Sequence, residues 1–526
     1  MQYSPETSLS SPIIQDVKLH IQARYPLIYL VSWEEARVIK ILESIATEDD
    51  QRKRVYTWSK TRGLQNIALV ADDETSSDPI DRHKESDPLQ VLFEIIHSQE
   101  RAIFLLLDFH PFLKNPEVVR RVRDAAQALK NIHKTIILLS PILELPHELS
   151  KEIVVFDLDL PSLKELSVAL DAFITKAEAD HRTQTIRLKK AQRERLLKAS
   201  QGLTIDEMWS ALNKSVVKHH TIGEATIPMM LAEKKQIIRK SGVLEYFSPE
   251  ETFDHIGGVS ALKRWLSKRD RAFTEDARKF GLPVPKGLLL VGVQGCGKSL
   301  TAKAVASQWR LPLLRFDLGK VFSGLVGASE ENVRKAIKLA ESIAPCILWI
   351  DEIEKGLSGS ASSNFSDAGT AARVFGTFIT WMQEKEKSVF VIATANDITL
   401  LPPELLRKGR FDEIFFVDLP RPEDRREIFR IHLTKRNRSP KDFNLEELQH
   451  HSDTFSGAEI EQVIISALYD AFEHRRPPTT ADIIKSLQET VPLAQTMKER
   501  ISALRTWAQT RARSASDPAE GGVWRG

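Results

Sequence analysis

Short apolar runs alternate with longer segments of mixed polarity along most of the chain. In the first half the runs are Leu27–Val31, Ala102–Leu107 and Thr135–Leu139, and stretches such as Glu34–Ile45 and Pro116–Leu129 have helical periodicity. Continuous apolar runs of this length are typical of strands buried on both faces. Because such strands alternate with helices, the pattern predicts a parallel α/β sheet.

The same order recurs in the second half of the chain. Its apolar runs are Gly287–Val291, Ile347–Ile350 and Val389–Ala393, and helical segments follow from Pro422 onward. We expect a linker between the two halves from about residue 237 to residue 251.

Local details also match between the halves. Leu145-Pro-His-Glu-Leu149 resembles Leu401-Pro-Pro-Glu-Leu405, and Leu203-Thr-Ile-Asp-Glu207 resembles Phe455-Ser-Gly-Ala-Glu459. Shared order and shared detail favour an internal duplication. The alternative is that α/β domains are alike at this level of detail.

Composition narrows the class of protein but not its activity. The 526 residues are 42% hydrophobic and 28% charged, and the net charge of +2 requires neither nucleic acid nor an anionic membrane as a partner. The two cysteines, Cys296 and Cys346, exclude a disulfide framework. The N-terminus has no secretory signal pattern, and the apolar runs fall short of the ~20 residues of a membrane span. We therefore expect a soluble, intracellular protein.

A glycine-rich segment follows the apolar run that ends at Val291. Gly-x4-Gly-Lys-Ser fits Gly292 to Ser299, before a helical stretch. Glycines let backbone N–H groups converge on phosphates, and a helix N-terminus favours an anion. In this motif Lys298 reaches the β- and γ-phosphates and the Ser299 hydroxyl ligates Mg²⁺. The expected ATP-binding loop consists of Gly292, Val293, Gln294, Gly295, Cys296, Gly297, Lys298, Ser299 and Leu300.

A second apolar run ends in two acids, Asp351 and Glu352. Carboxylates at the carboxyl edge of a parallel strand lie where ligands of open α/β sheets bind. Beyond a phosphate loop, Asp351 is placed to hold Mg²⁺ through water. Glu352 is placed to orient or deprotonate the attacking water.

From about residue 253 to residue 487 the sequence resembles the AAA family of ring ATPases. Asp254-His-Ile256-Gly257-Gly258 resembles the motif that contacts adenine, and Asn396 matches the sensor residue that positions the attacking water. Leu405-Leu-Arg407-Lys-Gly-Arg410-Phe-Asp412 matches the segment that carries two arginine fingers. The lid positions that contact the nucleotide are matched by His432, Gly457 and Ala458.

This resemblance implies how the site works. The catalytic residues it implies are Lys298, Glu352, Asn396, Arg407 and Arg410. The fingers act in the neighbouring subunit's site, so the resemblance implies a homo-oligomeric, hexameric ring with ATP and Mg²⁺ as cofactors. An arginine finger is worth ~10³–10⁵ in rate, and its planar fork suits a γ-phosphate better than lysine does.

The fold class that follows is α/β. We expect a P-loop AAA+ domain with a parallel sheet and a helical lid, preceded by a degenerate AAA-like α/β domain. The expected bounds are 1–240 for the N-terminal domain, 250–430 for the ATPase large domain, 431–495 for the helical lid and 496–526 for a C-terminal tail.

The first half lacks the chemistry of the second. Ser32-Trp-Glu-Glu-Ala36 follows the first strand without a phosphate loop, and Leu107-Asp108-Phe109 lacks the second acid. No arginine occurs between Leu149 and Asp159, where fingers would lie. We predict a non-hydrolysing AAA-like domain or, as the alternative, a substrate-binding α/β domain.

Two positions depart from the family pattern. The family's loop usually contains Gly-Pro-Pro-Gly-Thr-Gly-Lys, whereas this loop contains Gly-Val-Gln-Gly-Cys-Gly-Lys. Cys296 is either a small residue that fits or a redox-sensitive thiol whose pKa the lysine and the helix N-terminus would lower. Unfoldases of the family have an aromatic residue in the pore loop, where this chain has Leu325-Val326-Gly327. This difference favours remodelling or regulation over threading.

The whole arrangement also resembles an AAA family encoded in cyanobacteria and algal plastid genomes (hypothetical chloroplast reading frame forty-six), and the closing stretches 490–498 and 507–513 strengthen the match. That resemblance implies a cyanobacterial cytoplasm or a plastid stroma. We predict Mg-dependent ATP hydrolysis by a ring that remodels or regulates an unknown protein partner. The alternatives are a slow nucleotide-dependent switch or scaffold and, third, a nucleic-acid motor that uses the basic segment Arg505–Arg513.

Overall fold

Each half of the chain is built around its own β-sheet. The computed structural model describes residues 11–48, 53–67, 87–180, 186–247, 252–253, 256–273, 275–319, 328–358, 365–407 and 409–517. The chain divides into two compact units, Met1–Glu233 and Lys234–Gly526.

The first unit contains a mostly parallel sheet. Its strands are β1 (Leu27–Val31), β2 (Arg54–Ser59), β3 (Gly63–Asn66), β4 (Ala102–Leu107), β5 (Lys134–Ser140) and β6 (Val154–Asp157). They lie in the order β3-β2-β4-β5-β1-β6, and β2 and β3 form the antiparallel pair. The helices are α1 (Pro12–Gln22), α2 (Glu35–Glu48), α3 (Pro88–His97), α4 (Pro116–Ala128), α5 (Leu163–Ala179), α6 (Lys190–Ser200), α7 (Ile205–His219) and α8 (Ile227–Ser241), and α8 crosses into the second unit.

The second unit contains another mostly parallel sheet. Its strands are β7 (Leu244–Phe247), β8 (Gly287–Gly292), β9 (Leu313–Phe316), β10 (Cys346–Ile350), β11 (Val389–Ala395), β12 (Glu413–Val417) and β13 (Arg513–Ser514). They lie in the order β13-β12-β8-β11-β10-β9-β7, and β7 is antiparallel to β9.

Helices surround this second sheet. They are α9 (Ser260–Ser267), α10 (Glu275–Lys279), α11 (Lys298–Trp309), α12 (Ala328–Ile343), α13 (Lys355–Ser358), α14 (Phe365–Glu384), α15 (Pro422–Lys435), α16 (Leu445–His451), α17 (Gly457–Glu473), α18 (Thr480–Glu489), α19 (Leu493–Thr496) and α20 (Lys498–Arg511). A short 3₁₀ helix, Pro403–Leu406, precedes β12.

Alternate residues of the central strands face two separate cores. Leu289 and Val291 pack into one apolar cluster, and Leu288 and Leu290 pack into the cluster on the opposite face of the sheet. Successive side chains of a strand point to opposite faces, so a strand covered on both sides must be apolar throughout. The parallel α/β sheets predicted from these runs are therefore confirmed in both halves.

The two units share their strand order. The arrangement β6-β1-β5-β4-β2 of the first matches β12-β8-β11-β10-β9 of the second. The first turns of α7 and α17 are also alike, since Thr204 and Ser456 each cap their helix in a box with a glutamate three residues on. This agreement supports the internal duplication.

The expected linker and the expected start of the lid differ from the elements of the structure. The linker expected at 237–251 is wrong for residues 237–247, because α8 runs to Ser241 and β7 then pairs with β9 at the sheet edge. The lid begins with α15 rather than at residue 431, since Ile428 and Phe429 already belong to its apolar core. A boundary at 430/431 would cut that helix in two.

The expected C-terminal tail is also part of the fold. Leu504 and Ala508 of α20 are buried in the main core of the second unit. Strand β13 extends the sheet beside β12, and Ser260 donates a hydrogen bond of 2.7 Å to Asp517. Long-range pairing of this kind leaves only a weak local signal, which is why the segment was expected to be a tail.

None of the helices in the described ranges combines the length and the apolar character needed to cross a bilayer.

Candidate nucleotide site

The loop between β8 and α11 adopts backbone conformations that favour glycine. Gly295 has φ +77°, and a Cβ atom there would lie 2.8 Å from the hydroxyl of Ser456. Gly292 has φ +155°, and its Cβ would lie 2.0 Å from the carbonyl oxygen of Val417. Side chains at these positions would collide with the lid and with β12, so the loop can close around a ligand only with glycine.

Lys298, at the start of α11, is buried beneath this loop. Its Nζ donates hydrogen bonds of 2.9 Å and 2.7 Å to the carbonyl oxygens of Gly292 and Val293. Burial lowers the pKa of Lys298 to about 8. The side chain is thus held where the loop turns, with a proton that is unusually easy to lose.

Ser299 and Asp351 meet at the carboxyl edge of the sheet. The Ser299 hydroxyl donates to the Asp351 carboxylate at 2.7 Å, and the Thr394 hydroxyl donates to the same oxygen at 2.8 Å. Hydroxyl and carboxylate oxygens are ligands that Mg²⁺ accepts. The two predicted metal ligands therefore lie side by side.

Glu352 and Asn396 form the next contact along this edge. The side-chain amide of Asn396 donates to Glu352 Oε1 at 2.9 Å. Glu352 has φ +50°, a left-handed conformation that is uncommon for residues other than glycine, and its backbone N–H donates to Thr394 Oγ1 at 2.9 Å. Lys355 forms an ion pair with the same carboxylate. The backbone thus holds the Glu352 carboxylate beside Asn396.

Two residues of this constellation are not predicted from the sequence. Thr394 contacts both acids, and Glu354 accepts a 2.9 Å hydrogen bond from the backbone N–H of Asn396. The signal for Thr394 was its place two residues before Asn396 in an otherwise apolar strand, because residues two apart share a face. Glu354 carried no comparable signal, since its role depends on the loop after β11.

The loop, α11 and the lid enclose a cavity of about 280 Å³. Predicted residues that line it are Ile256, Gly257, Gln294, Gly295, Cys296, Gly297, Lys298, Ser299, Leu300, Glu352, Asn396, His432, Gly457 and Ala458. Gly292 and Val293 instead line a second cavity, which shares Gln294, Glu352 and Asn396 with the first. The structure therefore gathers most of the predicted positions around one space.

The lid approaches this cavity closely. The backbone N–H of Ala458 donates to the carbonyl oxygen of Gly295 at 3.0 Å. A Cβ at Gly257 would lie 2.6 Å from Cγ1 of Ile428, so the lid packs directly on that residue. His432 lies 3.4 Å from the Glu461 carboxylate, and burial lowers the pKa of the imidazole. Loop and lid therefore hold the cavity between them.

The structure opposes a reactive thiol at Cys296. Burial raises the pKa of Cys296 to about 12, although the charge of Lys298 acts in the opposite direction. The lowered pKa considered from the sequence is therefore wrong, because only the immediate neighbours could be seen there. A raised pKa favours the alternative interpretation, in which Cys296 is a small residue that fits the loop.

The two arginines are absent from the lining of their own chain's cavity. Arg407 follows the 3₁₀ helix Pro403–Leu406 and is exposed. Nε of Arg410 is buried and has no hydrogen-bond acceptor among the described residues. Neither arginine lines the cavity that contains Lys298. Two further predicted features, Asp254 and the pore-loop segment 325–327, lie outside the described residues.

The basic segment considered for nucleic acid is partly paired within the protein. Arg505 forms a bidentate contact with Asp418, with N···O distances of 2.9 Å. Arg513 lies 3.9 Å from Glu413. These carboxylates offset part of the positive charge that a phosphate backbone would require.

ATP and Mg²⁺ fit the residues that are present. The glycine-lined loop, the buried lysine and the N-terminus of α11 suit a phosphate chain. The paired oxygens of Ser299 and Asp351 suit a hard divalent cation. The donor set therefore matches both groups.

Three models of known protein families match segments of this chain. Models of the SpoVK-like AAA ATPase N-terminal domain and second domain match residues 13–158 and 164–241. The model of the ATPase family associated with various cellular activities (AAA) matches residues 288–419.

Individual relatives extend the match along the chain. The AAA domain-containing protein ycf46 of Trieres chinensis is 42% identical over 95% of this chain and 97% of its own length. The ycf46 protein of Pyropia yezoensis is also 42% identical, over 95% of this chain and 99% of its own length. The proteasome-activating nucleotidase of Saccharolobus islandicus is 32% identical over 52% of this chain and 72% of its own. These matches confirm the resemblance and the ATPase activity predicted from the motifs: the chain belongs to the AAA family of ATPases, together with the ycf46 proteins.

Proposed function

We propose that this ATPase works as a Mg-dependent, homo-oligomeric ring that remodels or regulates a protein partner. The observation that carries the proposal is the separation of the two halves of the catalytic set. Glu352 and Asn396 line the same cavity as the phosphate loop, whereas neither Arg407 nor Arg410 lines it. A neighbouring subunit would supply the missing cations.

The proposed roles follow from the chemistry of each group. Lys298 binds the β- and γ-phosphates, and its ammonium exchanges the two loop carbonyls for phosphate oxygens. Ser299 and Asp351 would hold Mg²⁺, which would neutralise charge on the phosphates. Glu352 accepts the proton of the attacking water. Asn396 donates a hydrogen bond to the Glu352 carboxylate and thereby orients this water.

The partner is proposed to be a protein. The proteasome-activating nucleotidase that matches 52% of this chain is named for activating the proteasome, which is itself made of protein. Leu325-Val326-Gly327 lacks the aromatic residue of unfoldase pore loops. We therefore propose remodelling or regulation rather than processive threading.

Turnover per subunit tests the ring. If arginines act between subunits, ATP turnover per subunit should rise with protein concentration and level off once assembly is complete. Phosphate release measured beside light scattering would show both quantities changing over one concentration range. Full turnover by a dilute monomer would contradict the proposal. Stimulation by an added partner would favour a remodeller over a slow switch.

The lowered pKa of Lys298 predicts a pH-dependent affinity for ATP. With a pKa of about 8, the free protein carries the ammonium below pH 8 and loses it above, so binding at higher pH requires uptake of a proton. We expect the dissociation constant to rise about tenfold per pH unit above 8. Fluorescence titration with an ATP analogue from pH 7.5 to 9.5 measures this.

Lys298→Arg is the matched control, because a guanidinium stays charged throughout that range. Its affinity, whatever the absolute value, should vary little with pH. A wild-type affinity that is equally flat would contradict the role given to Lys298.

A further inference from the structure

The first unit has a short loop where the second has its phosphate loop. In the first, Ser32, Trp33 and Glu34 separate β1 from α2, and in the second, residues 293–297 separate β8 from α11. Strands β1 and β8 occupy the same place in their sheets. The shorter loop brings a carboxylate, Glu34, to the N-terminus of the following helix.

Glu34 belongs to a buried ionic cluster with Arg37 and Glu165. Arg37 Nη1 donates to Glu34 Oε2 at 2.7 Å, and its Nη2 and Nε donate to Glu165 Oε1 at 2.8 Å and 3.1 Å. The three side chains are 3–6% exposed. Burial raises the pKa of Glu34, although Arg37 opposes the shift.

The same cluster also reaches two further segments. Arg37 Nη1 donates to the carbonyl oxygen of Asp159 at 2.7 Å. The backbone N–H of Ile205, the first residue of α7, donates to Glu34 Oε1 at 3.0 Å. The cluster therefore joins the sheet edge to the helical part of the first unit.

Each segment of this cluster has a counterpart around the nucleotide cavity. Asp159 and Asp418 each begin an Asp-Leu-Pro sequence after β6 and β12, and Glu165, third residue of α5, corresponds to Asp424, third residue of α15. Asp418 and Asp424 both line the cavity of the second unit. Ile205 begins α7 as Gly457 begins α17, and Gly457 lines that cavity too. The cluster therefore occupies the position in the first unit at which the second unit has its nucleotide cavity.

The charges of the cluster are arranged like those of a bound phosphate and the cation that neutralises it. A carboxylate at a helix N-terminus replaces the anion, and the guanidinium replaces the cation that would neutralise it. A nucleotide bound there would have to displace a buried, fully paired acid and leave an uncompensated charge.

We propose that the first unit binds no nucleotide. Glu34, Arg37 and Glu165 take the place that a nucleotide would have, and they hold α7 against the sheet at all times. The comparison rests on the proposed nucleotide site of the second unit. The first unit would therefore keep one conformation through the ATPase cycle.

Binding stoichiometry tests the first part of this proposal. The full chain, titrated with a fluorescent non-hydrolysable ATP analogue, should bind one molecule per chain, and Lys298→Ala should reduce this to near zero. A site that persists in Lys298→Ala would overturn the inference. Failure of the wild type to bind the analogue would instead overturn the proposed function.

Hydrogen exchange tests the second part. The analogue should protect amides of residues 457–473 and leave those of residues 205–219 unchanged in the full chain. Protection of residues 205–219 by the analogue would overturn the proposal.

Variants of Glu34 test directly whether this side chain holds α7. Glu34→Ala should speed exchange in residues 205–219 about ten- to a hundredfold. Glu34→Gln should have a smaller effect, because its amide oxygen can still accept from Ile205. The exposed neighbour Glu35 provides the control Glu35→Gln, which should leave exchange unchanged. Equal exchange of residues 205–219 in all three variants and the wild type would contradict the proposal, and Glu34→Gln serves as the test variant if Glu34→Ala fails to fold.

Discussion

Replacing Glu352 by glutamine should lower ATP turnover by about 10²–10⁴-fold, the range lost when a positioned general base is removed. Glutamine keeps the shape of glutamate and can still accept the 2.9 Å hydrogen bond from Asn396. It cannot accept a proton from the attacking water. ATP affinity should therefore persist while phosphate release nearly stops, as measured by a coupled phosphate assay beside a binding titration.

The matched control is Glu386→Gln, at an exposed glutamate beyond α14. It removes the same charge from the same unit and should leave turnover unchanged. Undiminished turnover of Glu352→Gln would refute the assignment of the base. A parallel loss of ATP binding would move Glu352 from the chemical step to ground-state binding.

Removing the arginines should lower ATP turnover even more than replacing Glu352 does. Arg407→Ala and Arg410→Ala should each lower turnover, up to about 10³–10⁵-fold for a finger that contacts the γ-phosphate. Because neither side chain lines its own chain's cavity, ATP binding should be little affected. The exposed Arg426, whose guanidinium lies 3.9 Å from Glu446, provides the control Arg426→Ala.

Mixing two inactive variants separates action within a chain from action between chains. Lys298→Ala keeps the arginines but loses its own pocket, whereas Arg407→Ala keeps the pocket but loses the arginine. If the arginine acts on the neighbouring subunit, mixed rings should recover part of the wild-type turnover. Turnover no greater than the sum of the separate variants would contradict that action.

The parts of the site that could be predicted are those encoded by neighbouring residues. The Gly292–Ser299 loop and the Asp351–Glu352 pair each lie within one strand-end segment, so a local pattern suffices to find them. The strand order could be predicted only as a class, because the apolar runs look alike and do not state which strands are neighbours.

The features that were predicted wrongly or not at all depend on residues far apart in the chain. The pKa of Cys296 is raised by burial in the folded protein and by the charges of Asp418 and Glu459, which its own segment does not contain. Strands β7 and β13 are short and pair only at the sheet edges, so neither has an apolar run to mark it. The pairing of Arg37 with Glu165 joins residues separated by 128 positions.

The pairing between Ser260 and Asp517 has a consequence for how the second unit folds. These residues are separated by 257 positions, and β13 joins the same edge beside β12. Contacts between distant residues must overcome a large loss of chain entropy, so they form late and slow the folding of the domain that needs them. We expect α20 and β13 to dock last during refolding, and to open first when the folded unit begins to unravel.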